Sequence, residues 1–183
     1  MSNSEQSNLS RIQAIIVDVD GVLTDGSVIL GSGGTEFKSF DIRDGMAITI
    51  ARRAGMKIGF ITSRTSEAVQ RRGEELKVDY LFQGVRNKLT KLMELSNSEN
   101  VPLESICYIG DDIIDIPVLR KVGFSATVSD APNEVKSCVS YVSENKGGKE
   151  AVRDIIRHIL VSQGKWKEVI DSMITDWERG RTA

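Results

Sequence analysis

Asp18 and Asp20 stand two positions apart, directly behind the apolar run AIIV (14–17), in the stretch VDVDGVLTDG (17–26). Strand alternation sends residues so spaced to one side. Further reactive groups follow along the chain: Thr62 at the end of KIGFIT, Lys88 opening a helical stretch, and Asp111, Asp112 and Asp115 within GDDIID. If the fold gathers them, charge decides what they can do. Two like charges 4 Å apart repel by about 4 kcal/mol at an effective dielectric near 20. Asp18, Asp20, Asp111 and one of Asp112 and Asp115 therefore need cations beside them. Lys88 supplies one positive charge. A hard divalent ion bound through oxygens supplies more, and Mg²⁺ suits a few carboxylates with water and a phosphate oxygen. A carboxylate, a hydroxyl, a lysine and Mg²⁺ are parts for phosphoryl transfer, where stabilising equatorial oxygens carries most of the catalysis.

The elements that must position these groups are legible as alternating apolar runs and helical patterns. Strands are expected over 14–19, 57–62, 79–83, 105–110, 124–128 and 140–143. Most are short, continuous and β-branched, as in a parallel sheet buried on both faces. Helices are expected near 44–55, 65–76, 87–97, 113–122, 131–137 and 148–162. The alternation predicts a doubly wound, Rossmann-like α/β fold with a mostly parallel sheet flanked by helices. Such sheets bind ligands at the carboxyl ends of their strands, where Asp18, Thr62 and Asp111 fall. Within SVILGSGGTEFKSFD (27–41), two strand-like runs around Gly31–Gly34 predict an inserted β-hairpin. In the tail, Trp166, Val169, Ile170, Met173, Ile174 and Trp177 make one helical stripe. That helix, over 165–183, is expected either to dock on its own core or to touch another subunit. The two tryptophans favour the interface.

Bulk properties narrow the class. A chain of 183 residues, 40% hydrophobic and 27% charged, makes one globular domain, expected over 11–164. A net charge of -2 gives no basic footprint for nucleic acid. No apolar run reaches the length of a membrane helix. Residues 1–10 are polar and read as a disordered tail rather than a signal peptide. Cys107 and Cys138 make neither a disulfide framework nor a metal cluster, so the expected setting is cytoplasmic. His158, the single histidine, lies far from every motif, which predicts a structural role.

The motifs DVDGVLT, FITSR, Lys88 and GDDIID, in that order, resemble those of the haloacid dehalogenase superfamily of phosphatases. The landmarks FDIRDGMAI, LFQGVRNKL, YIGDDIIDIPVL and GGKEAVRD extend the resemblance to its capless branch, the family of the 3-deoxy-D-manno-octulosonate 8-phosphate phosphatases. The resemblance runs from about Ile12 to Gly164. It implies that Asp18 is the nucleophile that becomes an aspartyl-phosphate, and that Asp20 is the acid and then the base. It implies that Thr62 and Lys88 bind the phosphoryl oxygens. Mg²⁺ would lie on Asp18, Asp111 and the main-chain carbonyl of Asp20, with Asp112 or Asp115 behind them. Asp41, Ile42, Arg43, Asp44 and Gly45, together with Arg64 and Arg72, would contact the substrate, a small phosphorylated sugar acid. Planar guanidinium groups suit its carboxylate.

Spacing leaves no room for a cap domain: 42 positions separate Asp20 from Thr62 and 26 separate Thr62 from Lys88. In this branch the neighbouring subunits of a homotetramer cover the open site, with the hairpins forming a central barrel, so a homotetramer is expected. The chain departs from the family pattern at Ser63 and at Glu150, both glycines in relatives, and at Thr49, an arginine in some. Glu150 adds a negative charge where an anionic substrate passes. A nine-carbon sugar acid 9-phosphate is the alternative substrate, and Arg64 favours the eight-carbon acid. A signalling receiver domain would place its phosphorylated Asp mid-chain and its Lys late, against the order here. A silent assembly module would not need the full motif set.

Overall fold

A computed structural model describes residues 8–181. The chain runs β1 (Ala14–Val17), a hairpin of β2 (Ile29–Leu30) and β3 (Glu36–Phe37), α1 (Ile42–Arg53), β4 (Lys57–Ile61), α2 (Glu67–Glu75), β5 (Tyr80–Phe82), α3 (Lys88–Ser98), β6 (Ile106–Ile109), α4 (Ile116–Leu119), β7 (Phe124–Thr127), α5 (Asn133–Lys136), β8 (Tyr141–Val142), α6 (Ala151–Ser162) and α7 (Trp166–Glu178). Six strands form one parallel sheet in the order β5-β4-β1-β6-β7-β8. Ala14 lies opposite Lys57 on one side and Ile106 on the other. The strand order reverses at β1, so its carboxyl end opens into the crevice where doubly wound sheets bind ligands. All four residues of β1 and of β6 are buried, which is why those runs are continuously apolar. This is the expected Rossmann-like architecture with a separate antiparallel hairpin, and no cap domain is inserted among the described residues.

Local chemistry sets the helix limits. The Asp41 side chain accepts from the N–H groups of Arg43 (2.6 Å) and Asp44 (3.2 Å), so α1 starts at Ile42, two residues before the expected 44. The helix expected over 148–162 begins only at Ala151, because Gly148 (φ +63°) and Glu150 (φ +68°) are left-handed. The stretch 113–122 is a 3₁₀ turn over Ile113–Asp115 followed by the short α4, with Pro117 tolerated in the first turn.

The ends of the chain differ from expectation. Residues 1–7 of the expected tail lie outside the described residues, but residues 8–10 are helical and Leu9 is fully buried. The Gln163 amide donates to the carbonyls of Leu9 (2.8 Å) and Ile12 (3.0 Å), tying this segment to the end of α6. Along α7, Val169 and Met173 are buried and Trp166 and Ile170 pack against the same core. Docking on its own chain thus accounts for most of the stripe, while Ile174 and Trp177 remain 44% and 48% exposed. His158 is stacked on Tyr141, with ring centroids 4.3 Å apart.

Candidate active site

The nucleophile candidate sits where the sheet splits. The Asp18 N–H donates to the Ile109 carbonyl (2.9 Å), carrying the β1–β6 pairing one residue beyond the strand. Asp18 is 5% exposed. Lys88 opens α3, which Asn87 caps by accepting from the Thr90 N–H (3.0 Å). The Lys88 Nζ lies 2.7 Å from Asp18 Oδ2 and 2.8 Å from Asp115 Oδ1. Asp115 is fully buried. Its Oδ1 also accepts from the Tyr108 hydroxyl (2.6 Å), and its Oδ2 accepts from the N–H groups of Asp111 (3.2 Å) and Asp112 (3.3 Å). Both of its oxygens are therefore engaged in holding Lys88 and the GDD turn. Asp112 is exposed, and its side chain accepts from the Ile113 N–H (2.7 Å).

Asp20 reaches the same cavity by another route. The chain leaves β1 after Val17 and passes through a wide turn, Val19–Leu23, in which Gly21 takes φ +88°. A Cβ at Gly21 would also lie 2.0 Å from Asp111 Oδ2, so a side chain there would push the Asp111 carboxylate aside. Asp20 Oδ2 accepts from the Thr62 hydroxyl (3.2 Å), and Thr62 Oγ1 accepts from the Arg64 N–H (3.2 Å). The Asp20 Oδ1 carries an ion pair with Lys38, whose ammonium lies 3.0 Å from Glu36 Oε1. Glu36 Oε2 in turn pairs with Arg64. Glu36, Lys38 and Tyr108 were not among the groups singled out by the sequence. The alternation in EFK (36–38), with Phe37 56% exposed, was the available signal for the first two.

Asp18, Asp20, Thr62, Arg64, Lys88, Asp111 and Asp112 line one cavity of about 150 Å³. Burial pushes the Asp18 carboxyl up to about 7, against the pull of Lys88 and helped by the nearby Asp115 charge. Burial, then the Asp18 and Asp115 charges, push Asp111 up to about 7 as well. Oxygens of Asp18, Asp111 and Asp115 lie within 4.8 Å of one another, and the buried Asp111 Oδ1 has no hydrogen-bond partner among the described residues. Hard oxygen donors with a free buried lone pair fit a divalent cation such as Mg²⁺. Because Asp115 is already saturated by its four partners, Asp18 and Asp111 are the better ligands and Asp115 the group that orients them.

The other expected substrate residues lie elsewhere. Arg72 donates to the Asp41 carbonyl (3.3 Å) and to Glu75 (2.7 Å), and its guanidinium fills the space a Cβ on Gly45 would need. Gly45 and Arg72, with Ile42 and Thr49, line a second cavity of about 320 Å³. Asp44 is 1% exposed and its Oδ1 accepts from the Arg153 N–H (2.7 Å) at the start of α6. Ile42 is 82% exposed, and Arg43 forms an outward ion pair with Glu150. Within one chain, then, Asp41–Gly45 and Arg72 do not share the cavity of Asp18, while Arg64 does. Asp25 turns away, accepting from the Ser27 N–H (3.0 Å).

Residues 81–156 match the haloacid dehalogenase-like hydrolase family. The 3-deoxy-D-manno-octulosonate 8-phosphate phosphatase KdsC of Escherichia coli K12 is 39% identical over 158 residues, covering 86% of this chain and 84% of the relative. A crystal structure of the phosphatase of that name from Moraxella catarrhalis, in complex with magnesium ion, phosphate ion and KDO, superposes with a TM-score of 0.90 at 32% identity, covering 94% of this chain and 99% of that one. The cobalt-bound form of the Haemophilus influenzae enzyme gives a TM-score of 0.84 at 38% identity, covering 87% and 93%. With the motif order, the sheet and the carboxylate–lysine cavity in agreement, the chain belongs to the haloacid dehalogenase-like hydrolases, in the family of the 3-deoxy-D-manno-octulosonate 8-phosphate phosphatases, and is a phosphomonoesterase.

Proposed function

We propose that this protein is a Mg²⁺-dependent phosphatase that hydrolyses 3-deoxy-D-manno-octulosonate 8-phosphate to the free sugar acid and phosphate. The observation that carries the reading is the pair of unlike carboxylates on one cavity. Asp18 is buried against Lys88, and Asp20 faces it from the hydroxyl of Thr62. An Asp18 oxygen attacks phosphorus, the bond from phosphorus to the sugar oxygen breaks, and an aspartyl-phosphate forms. Asp20, protonated at that stage, gives its proton to the leaving oxygen. It then takes a proton from the water that attacks the aspartyl-phosphate, and phosphate leaves. Lys88 and Thr62 bind phosphoryl oxygens through an ammonium and a hydroxyl. Asp18, Asp111 and the main-chain carbonyl of Asp20 would hold Mg²⁺, which supplies charge neutralisation for the phosphoryl oxygens.

Arg64 lines the cavity and carries the planar donor that a substrate carboxylate requires. The segment Asp41–Gly45 and Arg72 act on the substrate of a neighbouring copy in a homotetramer; their separation from Asp18 within one chain supports this arrangement. No helix among the described residues is long and apolar enough to cross a membrane, which fits a cytoplasmic enzyme acting on a small sugar acid.

The test is phosphate release over a panel of sugar phosphates with Mg²⁺, for wild type and Asp18→Asn. The eight-carbon acid 8-phosphate is expected to give the highest kcat/KM, and Asp18→Asn to lower release by on the order of 10⁴ with the fold intact. A higher kcat/KM for a nine-carbon acid 9-phosphate would overturn the substrate. Activity surviving in Asp18→Asn would overturn the mechanism.

A further inference from the structure

The hairpin is built inside out. Its cross-strand pair Ile29 and Phe37 faces away from the body of the protein, 50% and 56% exposed. Alternation along Glu36, Phe37 and Lys38 sends the two charged side chains to the opposite side, toward the cavity. There the Lys38 side chain is 1% exposed. An ammonium removed from water needs close partners, and Lys38 has two: Asp20, and Glu36 at 3.0 Å. Glu36 is held in turn by Arg64. The two oxygens of Asp20 are thus fixed from two sides, Oδ1 by Lys38 and Oδ2 by the Thr62 hydroxyl at 3.2 Å.

We propose that Lys38 is a positioning residue for the reaction: from the end of β3 it reaches Asp20 and fixes the carboxyl group that serves the leaving oxygen. The inference rests on the reading of Asp20 as the general acid. General acid catalysis is worth about 10²–10⁴-fold, and a misplacement of about 1 Å is enough to lose on the order of 10². A lysine that merely anchors the hairpin would affect all esters alike. A lysine that aims the acid matters only where the leaving group needs a proton. A sugar alkoxide does, and p-nitrophenolate does not.

The experiment compares wild type, Lys38→Met, Lys38→Arg and Glu36→Gln on the sugar-acid phosphate and on p-nitrophenyl phosphate, in Mg²⁺ buffer at each protein's own pH optimum. Circular dichroism and thermal melting report the fold. Lys38→Met is expected to lose about 100-fold in kcat on the sugar phosphate and to stay within about threefold on p-nitrophenyl phosphate, with Lys38→Arg recovering part of the loss. Glu36→Gln is expected to give the same selective loss at smaller size, and it decides the matter if Lys38→Met does not fold. Equal losses on both esters, or no loss on the sugar phosphate, would overturn the role of Lys38. Wild type that hydrolyses p-nitrophenyl phosphate but no sugar-acid phosphate would instead overturn the substrate reading, and with it the selective loss expected here.

Discussion

At the scale of single residues, the site is a problem of too much negative charge in too little water. Asp18 and Asp111 are both pushed up to about 7, above the ordinary carboxylate value of 3.8, by burial before anything else. In the metal-free protein each therefore binds a proton in the folded state that it lacks in the unfolded state between about pH 4 and 7. Their contribution to stability is present in full below 3.8 and is lost as pH rises through about 7. A divalent cation must displace those protons and restores the lost stability once they are gone. Two outcomes are expected. Adding Mg²⁺ after chelation should raise Tm more at pH 8 than at pH 5.5. Calorimetric titration in buffers of different ionisation enthalpy should show net proton release near pH 6.5. A Tm gain that is the same at both pH values, with no proton release, would remove Asp18 and Asp111 as the ligands.

Among elements, the contact between α1 and α6 shows a carboxylate held by a structural partner within its own chain. Asp44 falls in a segment expected to touch substrate, yet its carboxylate meets the start of α6 and accepts from the Arg153 N–H. Its Oδ2 is buried without a hydrogen-bond partner among the described residues, and burial pushes the group up to about 7. The same sign follows: stability from Asp44 is complete below 3.8 and is lost through about pH 7. Asp44→Asn keeps an acceptor for Arg153 and has no charge to desolvate. With Mg²⁺ saturating, so that Asp18 and Asp111 are silent, wild type should lose more Tm between pH 5.5 and 8 than Asp44→Asn does. Parallel curves would show that Asp44 is not the group titrating. The strands were legible because a sheet covered on both faces demands continuous apolar runs, as in AIIV. The true start of α6 was not, because the left-handed Glu150 is a non-glycine residue in a glycine conformation. The burial of Asp44 was not legible either, since only the packed helix gives it a buried partner.

On the scale of the whole molecule, the groups of the cavity were legible because chemistry restricts them to a few residue types at strand ends. Lys38 and Glu36 were not, because hairpin alternation names two faces without saying which faces the site. The structure turns Glu36 and Lys38 inward, and Ile29 and Phe37 on the opposite face are at least half exposed, as are Val28 and Leu30 beside them. An exposed apolar surface of that kind calls for a partner, and the proposed tetramer provides one in copies of the same hairpin. Ile29 and Phe37 lie opposite each other on the face away from Glu36 and Lys38, so changing them leaves the Lys38–Asp20 pair in place. Ile29→Glu with Phe37→Glu puts like charges where the copies meet. Wild type is expected at four times the 20.2 kDa of one chain by light scattering, and the double variant at one. The variant should keep its far-ultraviolet spectrum, and its kcat/KM on the sugar-acid phosphate should fall, because Arg72 and the 41–45 segment of a neighbour are then missing from each site. A double variant that still runs as a tetramer would move the interface off the hairpin. One that runs as a monomer at full kcat/KM would show that each chain recognises its substrate alone.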